Sequence, residues 1–129
     1  MIEKIVAALR AITELKITLE TPERIVNAAD LPLLYILPRA REPQTINFEG
    51  GYQVQEEYEL VLLVSPITKI REVEAFKLRS VIEEKIIVAL LSLNEPSIKV
   101  FITAEHDVRE VGGIVYLASV FKVVLKEVV

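Results

Sequence analysis

Apolar residues at Ile2, Ile5, Val6, Leu9 and Ile12 recur at helical spacing, while Glu3, Ala7, Arg10 and Glu14 take the opposite face. This pattern predicts an amphipathic helix at the start of the chain. Thr21-Pro22-Glu23 then offers an N-cap, a proline for the first helical position and an acid favoured by the helix dipole. A short helix from Pro22 to about Ala29 is expected, although Arg24 stands where a capping box would place Glu or Gln.

The pattern next turns to strands. Leu31-Pro32-Leu33-Leu34-Tyr35-Ile36-Leu37 is an apolar run closed by Pro38, as in a strand covered on both faces with Pro32 near its start. Pro38-Arg39-Ala40-Arg41-Glu42-Pro43 reads as a charged loop bracketed by prolines. Ile46 and Phe48 alternate with Thr45, Asn47 and Glu49 before Gly50-Gly51, a pair that predicts a hairpin. From Tyr52 to Val64, alternation puts Tyr52, Val54, Tyr58, Leu60, Leu62 and Val64 on one face and Gln53, Gln55, Glu57 and Glu59 on the other. Val61 and Leu63 make the second half apolar on both sides, so that end is expected under a helix or against a partner.

A helix is predicted from about Thr68 to Leu93, with a core stripe of Ala75, Leu78, Ile82, Ile86, Ala89 and Leu93. Its opposite side holds Lys77, Ser80 and Glu84 in the first half but Ile87, Val88 and Leu91 in the second. A helix that ends apolar all round needs a cover, from the N-terminal helix or a neighbouring subunit. Asn94-Glu95-Pro96 breaks it. Ile98, Val100, Ile102 and Ala104 then alternate as a strand, and Gly112-Gly113 opens a final strand from Ile114 to about Lys126. The elements predict an α+β fold in one domain, residues 1–129: a mostly antiparallel sheet with an N-terminal helix and one long helix packed on it.

Composition narrows the function. Apolar residues make up 52% of the chain, and exchanging its 4 Tyr for its 4 Gly leaves that share unchanged. It slightly exceeds the roughly 45–50% usual for globular domains, and such a surplus suits burial between subunits. With 15 Lys+Arg against 19 Asp+Glu the net charge is -4, so the surface repels a phosphate backbone overall. The absence of Cys excludes disulfides and zinc-thiolate sites. Charges at Glu3, Lys4, Arg10 and Glu14 leave the N-terminal stretch without a signal-peptide core or a membrane span, and an intracellular product is expected.

Candidate chemistry is sparse. His106, between Glu105 and Asp107, is the single histidine. Adjacent residues on a hairpin loop diverge, so a solvated loop tip is favoured over a metal site, and no signature asks for a general base there. Gly50-Gly51 and Gly112-Gly113 lack the Lys-Ser/Thr of a phosphate loop and read as turns. Glu57 and Glu59 share a polar sheet face with Gln53 and Gln55, as a wet surface does, while alternation points Glu56 at the apolar face, where a bulge or an ion-pair partner is expected. Arg39 and Arg41 are too few for nucleic acid; a solvated loop is the simplest reading of the pair, and docking to an acidic patch on another subunit is favoured over nucleic acid. No catalytic residue, cofactor or metal is predicted.

The N-terminal amphipathic helix, the run LPLLYILPR from Leu31 to Arg39, the strand EEYELVLLVSP from Glu56 to Pro66, one long helix and a closing strand pair together resemble the small tail-terminator, or tail-completion, proteins of long-tailed bacteriophages. The resemblance implies a subunit of a hexameric ring that sits on the last ring of the tail tube, ends its polymerisation and offers a surface to the head. It implies a tail tube protein and a head-completion protein as partners and a place in the tail or neck of the virion. It carries over no catalytic residue. The interface candidates come from the pattern: Ile87, Val88 and Leu91 for ring packing, Arg39 and Arg41 for docking. Two other classes remain open, namely another ring adaptor of head completion or secretion, and a small enzyme or ligand-binding domain with its site between subunits.

Overall fold

A computed structural model describes residues 2–24, 26–45, 52–67 and 72–128. Helix α1 (Ile2–Leu9) is followed by β1 (Lys16–Thr18), a 3-10 turn (Ala28–Asp30), β2 (Leu33–Thr45), β3 (Tyr52–Pro66), α2 (Glu72–Leu91), β4 (Ile98–Val111) and β5 (Ile114–Val128). The five strands form one sheet in the order β1-β2-β3-β5-β4. Every neighbouring pair is antiparallel except β1 with β2. The α+β class read from the pattern is therefore the fold, with both helices on one face of a mostly antiparallel sheet.

Alternation along the strands builds two apolar clusters. On the helix side, Leu34 and Ile36 of β2, Leu60 and Leu62 of β3 and Phe121 and Val123 of β5 are buried against Ile5 and Leu9 of α1 and Ile82, Ile86 and Leu90 of α2. Each such side chain contributes roughly 1.5–3 kcal/mol when fully buried. The other face buries Leu33, Tyr35, Val61, Leu63, Tyr116 and Ala118, with Val26 and Leu31 packed on them. The cover expected over Val61 and Leu63 is thus the segment leading into β2. Tyr116 pins that segment, because the Val26 N–H donates to its hydroxyl at 3.1 Å.

Several expectations need correction. The helix at Pro22–Ala29 is not formed; among the described residues of that stretch only the 3-10 turn at Ala28–Asp30 is helical. An incomplete capping box and a segment too short to nucleate leave tertiary packing to decide, and here Val26 is drawn onto the sheet. The run before Pro38 does not end there, since β2 continues through Pro38-Arg39-Ala40-Arg41-Glu42-Pro43 to Thr45. Prolines are tolerated because β1 covers β2 only at Leu33–Tyr35, so the rest of its outer side lacks a neighbouring strand among the described residues. Pro38 and Pro43 are an odd number of residues apart, and the register shift between Pro38 and Ala40 lets both face outward despite it. The expectations for Ile46, Phe48 and Gly50-Gly51 fall outside the described residues.

Strand β4 runs on to Val111, so Glu105, His106 and Asp107 lie within a strand rather than at a loop tip. The turn is made instead by Gly112 and Gly113, whose φ values of 59° and 83° match the two-residue hairpin geometry that favours glycine. Among the described residues no helix is long and apolar enough to cross a membrane.

Candidate functional site

Helix α2 buries Ala75, Arg79, Ile82, Ile86 and Leu90. This stripe is rotated from the expected one: Leu78 is exposed, Ala89 and Leu93 are partly buried, and Leu90 takes the central place. The consequence is an outer surface rich in apolar side chains. Val88 is 62% exposed, Val81 50%, Leu91 46% and Phe76 43%. Ile87, the third residue of the expected interface, packs against the chain's own core, leaving Val88 and Leu91 as the exposed pair.

Val81 and Val88, two turns apart on one side of α2, form one wall of an open groove whose other wall is Ala8, Ala11 and Ile12. Lys85 bridges the groove to Glu14 through a hydrogen-bonded ion pair. That hydrogen bond holds the Glu14 carboxyl below the usual carboxylate range. The groove is thus mainly apolar, with small side chains on its α1 wall and one charge pair spanning it.

Between α2 and the sheet lies a polar cluster that sequence reasoning missed. Arg79, 7% exposed, places its guanidinium carbon 4.9 Å from the centre of the Phe76 ring. Its Nη2 lies 3.2 Å from His106 Nδ1 and its Nε 3.7 Å from Glu83 Oε1. His106 Nε2 lies 2.9 Å from the same carboxylate oxygen, which also accepts the Ser119 hydroxyl. Arginine can only donate, so His106 Nδ1 accepts and Nε2 carries the proton given to Glu83. Ser119 is fully buried and donates to Glu83 rather than to the imidazole, so these residues do not form a nucleophile and its base. The cluster locks α2 to β4 and β5. The signal that could have found it is the Arg79–Glu83 spacing of one helical turn, followed by an inward-facing Ser119.

On the other sheet face, Arg109 reaches Glu59 at 3.5 Å and Asp107 at 3.2 Å. Glu59 is therefore buried and paired, whereas a solvated face was expected; Gln55 and Glu57 beside it are partly covered. The buried Glu56 receives a 2.5 Å hydrogen bond from the Tyr58 hydroxyl, and Arg41 stands opposite it in the β2–β3 register. Arg39 and Arg41 are placed as strand backbone, their side chains lying outside the described ones. Among the described residues no group of three or more His, Cys, Asp or Glu gathers as a metal site would.

Tyr35 belongs to this face. Burial raises its hydroxyl above the ordinary value of 10.0, with the Arg109 charge opposing the shift. A raised folded-state value means that the unfolded chain loses the proton first, so the contribution is intact below about pH 10 and is lost as pH rises further. Tyr35→Phe is expected to flatten the fall in melting temperature between pH 9.5 and 11, measured by circular dichroism. An unchanged alkaline slope would place that loss elsewhere.

Comparison of the chain with protein-family models gave no match, and neither did comparison with curated proteins.

Proposed function

We propose that the protein is a structural subunit that assembles with copies of itself into a ring of the tail-terminator kind, capping a tail tube and joining it to a head. The observation that carries this reading is the outer surface of α2, where Val81, Val88 and Leu91 remain exposed after the chain has packed its own core. Exposed apolar side chains gathered on one helix face, here around Glu84 and Lys85, favour protein association. A ring needs two different complementary patches on each subunit, and the α2 surface supplies one of them. The resemblance in element order supplies the choice of a tail over other rings. The hexamer, the tube protein, the head-completion protein and the virion location follow from that resemblance alone, while the non-enzymatic role rests also on a sequence that offers no catalytic constellation.

Leu91→Asp tests the reading directly. Leu91 is 46% exposed, so the change should leave the fold intact while placing a charge in the contact. Light scattering is expected to show the assembled species giving way to smaller ones, and electron microscopy of the unaltered protein to show rings. An assembly that survives Leu91→Asp unchanged removes this face from the interface.

A further inference from the structure

We propose that the outer edge of β4 pairs antiparallel with the same edge of a second copy of this chain, about a two-fold axis through Ala104. The inference is independent of the ring reading, because it uses main-chain groups on the sheet edge rather than the α2 surface.

Strand β4 pairs with β5 on one side only, in an unbroken register from Ile98 to Val111. The Val100 N–H donates to Asn94 Oδ1 at 2.9 Å and the Val108 N–H to Asp107 Oδ1 at 2.8 Å. The Ile98 N–H donates to the Glu95 carbonyl at 3.1 Å. None of these bonds is made to β5, so the even-numbered residues turn their amides away from the sheet, as antiparallel alternation requires. The edge is closed by local acceptors at Ile98, Val100 and Val108. Between those closures, the amides of Ile102, Ala104 and His106 face outward with no acceptor among the described residues.

Edges are commonly blunted by prolines or bulges. The outer side of β2 carries both, at Pro38, Pro43 and the register shift between Pro38 and Ala40. The β4 edge carries neither.

The open window is symmetric, and that symmetry identifies its occupant. With Ala104 opposite Ala104, Ile102 of each copy faces His106 of the other, and the bare amides meet the outward carbonyls of the same residues. This register yields about six main-chain hydrogen bonds, two at each of three residue pairs. The capped positions Val100 and Val108 fall opposite each other, outside the bonded window. Ala104, the smallest side chain in β4, sits at the axis, and Thr103 faces Glu105, so no carboxylate meets another directly across. Lys99 falls opposite Arg109, whose charge Glu59 and Asp107 already balance.

Ala104→Pro removes the central donor where an edge strand tolerates proline. In the Leu91→Asp background, where the ring contact is removed, sedimentation equilibrium is expected to show a two-fold association that adding Ala104→Pro weakens about tenfold or more. Hydrogen exchange read residue by residue should slow at Ile102, Ala104 and His106 as concentration rises, with Val100 and Val108 unaffected. Where Ala104→Pro loses its circular dichroism signal, Ala104→Cys gives the decisive reading. Opposed bonded residues lie about 5.5 Å apart, within disulfide reach, so mild oxidation should yield covalent dimers that a control Leu19→Cys does not. Three results would each overturn the pairing: the Leu91→Asp, Ala104→Pro double variant associating as tightly as Leu91→Asp alone, exchange at those three amides independent of concentration, or Ala104→Cys crosslinking no faster than the control. Loss of assembly in Leu91→Asp with the β4 behaviour intact would separate this contact from the ring contact.

Discussion

Glu83→Ala is expected to destabilise the fold by roughly 3 kcal/mol, the low end of what removing one partner of a buried ion pair costs. The carboxylate accepts from Ser119 and from His106 and balances Arg79, so its removal strands several polar groups at once. Arg79 suffers most, because its side chain is nearly enclosed and its Nε has no hydrogen-bond partner among the described residues. Urea denaturation followed by circular dichroism gives the measurement, and the contrast between variants gives the mechanism. His106→Ala should cost under about 1 kcal/mol, since its ring side is largely open to water and its bonds can be replaced. Arg79→Met combined with Glu83→Gln should recover much of the loss, since the charge no longer lies buried and the amide oxygen still accepts from Ser119. A loss below about 1 kcal/mol for Glu83→Ala would mean that water already screens the cluster.

That cluster also explains why the orientation of α2 was only partly legible. Apolar identity alone selects Leu78 and Ala89 for the inner stripe, yet the helix turns Arg79 and Leu90 inward and leaves Leu78 half exposed. The rotation follows from long-range partners: His106 lies 27 residues beyond Arg79 and Ser119 lies 36 beyond Glu83. Periodicity contains no record of such pairs. Similarly, β1 holds a single large apolar residue, Ile17, and owes its place to parallel pairing with Leu33–Tyr35. Strand β4 alternates in burial only as far as Ile102, then runs exposed along an edge, where no hydrophobic pattern marks its length. Where both faces of a strand are buried, as at Leu60 to Val64, the apolar run is clear, but the helix or partner it calls for over Val61 and Leu63 is replaced by the chain's own Val26 and Leu31 segment. What the pattern could not say was that one cover is a segment whose regular structure among the described residues is a single 3-10 turn at Ala28–Asp30, held by Tyr116.

The candidate surface was legible to the same degree. Val88 and Leu91 stand out in the sequence as apolar residues on the outer side of the helix, and both are exposed in the folded chain. Ile87 follows the same pattern but lies one position nearer the sheet, and its side chain is used by the core. The sequence around Arg39 and Arg41 reads as a loop because prolines commonly end strands. The outer side of β2 is where that rule relaxes.

The two covers on β3 can be compared by experiment. Leu62 and Leu63 are neighbours, both fully buried, and point to opposite faces of the sheet. Leu62→Ala opens a cavity in the cluster beneath α1 and α2, where helices packed on a sheet restrict collapse, so a loss of about 3–5 kcal/mol is expected. Leu63→Ala opens one beneath the Val26 and Leu31 segment, whose regular hydrogen bonding among the described residues is one 3-10 turn, so it can move inward more readily than a helix. Its loss should fall nearer 2–3 kcal/mol, because the cost declines as the site relaxes around the deleted atoms. Chemical denaturation of both variants measures the difference, and proteolysis locates it. Leu63→Ala should speed cleavage between Glu20 and Asp30 while α2 stays protected, whereas Leu62→Ala should loosen the chain as a whole. Equal losses with identical cleavage would show the two faces to be one cooperative core, with the irregular segment as firmly held as the helices.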